Sequence, residues 1–215
     1  AGQVQIGEGT VIVQASSGLG ANTSTTARGI DLGLNLGDVS MGNNVVLQAT
    51  NSVVVPQSIY VAPNTSSATR SISLSGSGAA TFNNEIYLDG DLTVSGGTGT
   101  VTLSGKIINN KGLIISGGTV VLSNNTNTYT GATAINSGTL NLTGNIASGS
   151  AVSVASGATL SGNGTAAGTV AVTGTISPNG SGASGTLTTG AMTWSNGGQY
   201  TCDISKVPSA GSPGT

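Results

Sequence analysis

Gly99-Thr100-Val101-Thr102-Leu103 is echoed by Gly118-Thr119-Val120-Val121-Leu122, by Gly138-Thr139-Leu140-Asn141-Leu142 and by Gly157-Ala158-Thr159-Leu160. The threonines fall at positions 100, 119, 139 and 159, a nearly constant step. Short β-rich phrases returning about every 20 residues, punctuated by Gly and Asn, are the signature of a solenoid that stacks coil on coil. The phrase therefore predicts an all-β chain folded as a right-handed parallel β-helix, a β-solenoid with rungs of about 20 residues.

Outward from that phrase, period-two alternation continues. Ile30, Leu32, Leu34 and Leu36 alternate with Asp31, Gly33 and Asn35. Ile86, Leu88, Leu92 and Val94 alternate with Tyr87, Asp89 and Asp91, and Tyr200, Cys202 and Ile204 with Thr201, Asp203 and Ser205. Such alternation predicts strands with one buried and one wet face. No apolar stripe of helical period and no helix-opening capping box is present. Ser95-Gly96, Asn109-Asn110, Asn124-Asn125, Ser161-Gly162, Asn179-Gly180 and Asn196-Gly197 predict tight turns with positive φ. Antiparallel hairpins in a sandwich are the rival architecture. A fixed step favours parallel coils, because every rung then repeats its turn at the same place.

The chain reads as one β-solenoid domain, 1–215. Residues 1–98 form less regular rungs, 99–180 carry the repeat, and 181–215 hold terminal rungs and a tail, Pro208–Thr215. At about 20 residues per rung and roughly 4.7–4.9 Å between strands, about eleven rungs would span roughly 50 Å. Leu103, Leu122, Leu142 and Leu160 are expected inside, in or near one ladder.

Composition narrows the function classes. Only 6% of residues are charged, against about a quarter in ordinary soluble domains. The net charge is -2 and no basic stripe exists, which argues against nucleic acid or an anionic membrane as partner. No apolar run reaches the ~18 residues that span a bilayer, so no membrane insertion by this segment is expected. The 36 glycines and 5 prolines stay below the roughly 25–30% of low-complexity chains, and the apolar residues fall in order, so the chain is read as folded. A coat of Ser, Thr, Asn and Gly suits the outside of a cell. A start at Ala1-Gly2-Gln3 is compatible with a removed signal peptide and equally with an arbitrary boundary.

Candidate sites are few. Histidine is absent, which removes the commonest general base and metal ligand. No serine has an activating base, and neither a catalytic residue nor a cofactor is expected. Glu85, Asp89 and Asp91 are the one acidic cluster. They are candidates for a carboxylate pair in glycoside cleavage or for weak calcium ligation, against the plain reading of a solvated strand face and turn. Single Cys202 reads as a small buried hydrophobe, with intermolecular pairing as the alternative. Six Asn-x-Ser/Thr sequons, at Asn22, Asn64, Asn124, Asn141, Asn163 and Asn179, are read as turns and ladders. A row of exposed aromatics on stacked rungs would mark glycan binding. With six aromatics in the chain no such row is expected.

The run Asn127-Thr128-Tyr129-Thr130-Gly131-Ala132-Thr133-Ala134-Ile135-Asn136-Ser137-Gly138-Thr139-Leu140 resembles the autotransporter-associated β-strand repeat, also called the passenger-associated transport repeat. The resemblance extends from Gly112 to Leu142, and Thr175–Gly180 with Gly185-Thr186-Leu187 looks like the phrase that closes such arrays. It implies a bacterial surface or secreted β-helix, usually part of a longer chain, with an adhesive or structural role. The expected function is thus an extracellular scaffold, stalk or filament subunit. Its partners would be copies of itself end to end or further rungs of its own chain. A passenger adhesin binding host or cell-surface glycan is the first alternative, and a polysaccharide-active enzyme the second.

Overall fold

The computed structural model describes residues 4–15, 29–33, 43–64, 67–179 and 185–202. Asn22, Leu34, Leu36, Asp203, Ile204, Ser205, Lys206 and the tail lie outside these.

Among the described residues there is no helix, and every strand pairing is parallel. Three faces repeat along one stack. The first runs Gly9–Val13, Val45–Thr50, Arg70–Ser75, Leu92–Ser95, the leading halves of Leu113–Leu122 and Thr133–Leu142, Val152–Val154, Val170–Val172 and Met192–Trp194. The second runs Val53–Val55, Ala79–Phe82, Thr100–Leu103, the trailing halves of the two long strands, Thr159–Gly162, Thr175–Pro178 and Gln199–Tyr200. The third is built of the shortest strands: Val4–Ile6, Ile30–Leu32, Ile59–Val61, Ile86–Leu88, Ile107–Asn109, then Asn145–Ile146, Thr165–Ala166 and Thr188–Thr189. The antiparallel sandwich is thereby overturned. Residues before and after position 98 share one stack, since Leu92 pairs with Leu113 and Ala79 with Thr100.

The repeated threonines stand in one column: Thr100 beside Thr119, Thr139, Thr159 and then Thr175. Leu103, Leu122 and Leu142 form an inward column whose next member is Gly162. Leu160, also buried, belongs to the neighbouring column with Val101, Val120 and Leu140. It follows its threonine by one position, whereas Leu142 follows Thr139 by three. Thr186 is not in the threonine column. Thr175 takes that place after a short coil.

The period is local. On the first face Val45, Arg70, Leu92, Leu113, Thr133, Val152, Val170 and Met192 share one register position. The step between them shortens at every coil from Val45 to Val170 and lengthens again only at Met192. Among the described residues this face has nine strands, a height of roughly 38 Å at ~4.8 Å per step, where about eleven rungs are expected of the whole chain.

Apolar side chains fill the interior along the whole stack. Two rings join them: Phe82 and Tyr129 are fully buried. The outward face of the alternation is not uniformly wet. Asp31, between inward Ile30 and Leu32, is buried. Nor is the inward face purely apolar, since Arg70 stands in the inward column between Val45 and Leu92 and its guanidinium donates to the Asn43 carbonyl at 2.6 Å. Positive φ occurs at Asn109, Gly162, Asn179 and Gly197 as the turn pairs predict. At Ser95-Gly96 it shifts to Gly97, and Asn124-Asn125 has none. Asn124 makes an Asx turn instead, its Oδ1 accepting from the Thr126 N–H at 2.8 Å.

Candidate functional site

The acidic cluster sits on the third face. The alternation from Ile86 to Val94 is not one strand. It turns a corner at Asp89–Asp91, leaving Ile86–Leu88 on the third face and Leu92–Ser95 on the first. Glu85 and Asp89 therefore flank a three-residue strand at opposite ends, with Tyr87 projecting between them. Four steps of extended chain span roughly 13 Å along the backbone, and the Glu85 carboxylate bends back toward Tyr87.

Each acid has its own partner. The Tyr87 hydroxyl donates to Glu85 Oε2 at 2.5 Å. Asp89 Oδ1 accepts from the Asn109 amide of the adjacent coil at 2.8 Å, and Asp91 Oδ1 accepts from the Gly112 N–H at 2.7 Å. Among the described residues no three His, Cys, Asp or Glu side chains converge on a metal-sized site. The Asp89 and Asp91 carboxylates act as ties between coils. The bond to Glu85 pushes the Tyr87 phenol above its ordinary value, helped by partial burial and by the carboxylate's charge.

The coil register adds what the acids alone do not reveal. Tyr60 pairs with Tyr87, and Tyr87 with Ile108, so two tyrosines and an isoleucine occupy one outward column on three successive coils. All three are partly exposed, and the residues beside them on their strands are mostly buried. Two half-buried aromatics, Tyr60 and Tyr87, stand as a pair on successive coils rather than as an exposed row. The step from position 60 to 87 hid it, because it is much longer than the period of the repeat. Lys106 stands one coil beyond Glu85 in the same register.

Two further polar clusters are internal. Asn127 Oδ1 accepts from the Ile107 N–H at 2.8 Å, while its Nδ2 donates to the Asn124 and Asn145 carbonyls at 2.9 and 2.8 Å. Tyr129 and Thr133 share a hydroxyl bond of 2.7 Å, and Thr133 and Ser150 one of 3.0 Å. Burial pushes the Tyr129 phenol up to about 12. Burial also lowers the Arg70 guanidinium from its usual value. These groups lie inside the coil, where no substrate reaches them.

Cys202 is exposed, contrary to the buried reading. The alternation through Tyr200 does continue an inward column, since Tyr200 pairs with Ile176. The last described strand, Gln199–Tyr200, ends before Cys202, and no described coil lies beyond it. Trp194 likewise continues the inward column through Val172, yet Trp194 is 44% and Tyr200 59% exposed. Among the described residues no helix is long and apolar enough to cross a membrane.

No family model, curated protein or solved structure matches this chain.

Proposed function

We propose that this chain is a structural, non-catalytic β-solenoid. It serves as a scaffold, stalk or filament segment of a bacterial surface or secreted protein, and it lengthens by coil-on-coil stacking. The observation that carries this reading is the exposure of Trp194 and Tyr200 at the end of the interior columns. Apolar side chains in core positions, on strands that no described coil covers, favour a further rung from a second copy or from the same chain. Such head-to-tail contacts do not close on themselves, so they build filaments. The sparse charge and the resemblance over Gly112–Leu142 support the extracellular setting.

Sedimentation velocity at rising concentration, with negative-stain imaging, tests the proposal. End-to-end species that disappear in Trp194→Lys/Tyr200→Lys are the expected result. A strict monomer with that end covered by its own residues would defeat it. Turnover of pectin or alginate that is abolished by Asp89→Asn would defeat the non-catalytic part.

A further inference from the structure

We infer that the third face over Tyr60, Tyr87 and Ile108 is a binding platform for a neutral, linear, β-linked glycan lying along the solenoid axis. The inference is independent of coil stacking at the terminus and adds a ligand to the rod.

Three observations carry it. The first is the column itself. Tyr60, Tyr87 and Ile108 are in register on consecutive coils, at steps of ~4.8 Å. Each projects from a three-residue strand whose flanking residues point inward at Ile59 and Val61, at Ile86 and Leu88, and at Ile107. The outward surface at this level is therefore narrow, a column bounded by Glu85, Asp89 and Asn109. A single extended sugar chain fits such a line, whereas a flat crystalline surface or a branched glycan needs breadth. A pyranose unit in an extended β-linked chain advances by nearly the inter-coil step, so successive units meet successive side chains. Aromatic and aliphatic faces take up the C–H faces of the sugars, and a phenol adds a polar tip.

The second is the rim. Glu85 and Asp89 lie at either end of the Tyr87 strand, and Asn109 lies beside Asp89. Each carboxylate uses one contact within the protein and retains acceptor capacity for sugar hydroxyls. Charge decides the class. Two carboxylates beside the column repel uronates and sulfated chains, and Lys106 on the next coil offsets only one of them. The occupant is neutral.

The third is fixation. The Tyr87–Glu85 bond of 2.5 Å holds the ring before any ligand arrives, which lowers the ordering cost of binding. Beyond Ile108 the third face changes character at Asn127–Gly131, which is not a strand, so the platform spans three coils and two to three sugar units.

The probes are hydroxyethylcellulose in affinity gel electrophoresis and cellohexaose in isothermal titration calorimetry, with alginate as the acidic comparator. The intact chain should be retarded by hydroxyethylcellulose and not by alginate. Tyr60→Ala/Tyr87→Ala should weaken cellohexaose binding about tenfold or more, as loss of aromatic anchors does. Tyr87→Phe, which keeps the ring, should retain most of the affinity, and Trp194→Ala, at the far end, all of it. Absence of binding by the wild type, equal retardation by alginate, or full affinity in a folded double variant would each overturn the inference. Should the double variant fail to fold, Ile108→Ser decides: weakened binding upholds the platform and unchanged binding overturns it.

Discussion

Between Ile107–Asn109 and Asn145–Ile146 the third face has no strand, and the Asn127 side chain completes a ladder that the Thr128 and Thr130 N–H groups continue onto the Ile107 and Asn109 carbonyls. The Asn127 carboxamide takes the Ile107 N–H and gives its own two protons to carbonyls at Asn124 and Asn145. An amide side chain can do this because it presents a backbone-like donor and acceptor together. Asn127→Ala should cost roughly 2–4 kcal/mol in urea denaturation, since a buried N–H and a buried carbonyl lose their partners. Asn127→Asp should cost at least as much, because a carboxylate cannot donate. Two positions on, Tyr129 fills the space inward of this segment. Its folded-state pKa lies above the unfolded one, so its contribution is complete below about pH 10. Between about pH 10 and 12 the unfolded chain loses its proton first, and stability falls by on the order of 3 kcal/mol. Denaturation midpoints across that window should drop in the wild type and fall less steeply in Tyr129→Phe.

The two long strands, Leu113–Leu122 and Thr133–Leu142, each turn from first face to second without breaking, and glycine makes the bend possible. Gly138 has φ +77, and a Cβ there would lie 2.4 Å from the Gly118 carbonyl oxygen of the adjacent coil. Gly138→Ala should therefore destabilise by more than the roughly 1–3 kcal/mol of left-handed backbone strain, measured as a lowered urea midpoint. Leu122 lies inside the column between Leu103 and Leu142. Leu122→Asp places an unpaired charge there, and loss of cooperative folding by circular dichroism is expected. A wild-type melting curve would contradict the inward assignment.

At the scale of the molecule, nine strands on the first face set a height of roughly 38 Å for the described stack. Small-angle scattering should report an elongated particle rather than a sphere. The early coils, Val45 to Arg70 and Arg70 to Leu92, are longer than the later ones, Thr133 to Val152 and Val152 to Val170. The longer early coils spend their extra residues between the strands, and Arg70 is buried among them. The acids at 85, 89 and 91 were legible as a cluster, but the role of Asp89 and Asp91 as inter-coil ties was not. The partner of Asp89 is Asn109, on the next coil, and nothing in the sequence distinguishes a tie from a solvated carboxylate.

The sequence by itself determined the class: all-β, parallel, coiled, with threonines at 100, 119, 139 and 159 in one column. Similar phrases at nearly constant spacing stack in register, so periodicity and contact are the same information there. Where the spacing changes, that equivalence fails. Only the tertiary structure decided that Tyr60 stands over Tyr87, that Leu160 leaves the leucine column, and that Cys202 is exposed. Each depends on the length of the coil between the partners or on whether a further coil covers them. Coil length is set by how far each corner must reach around the core, and alternation of apolar and polar residues carries no record of that distance.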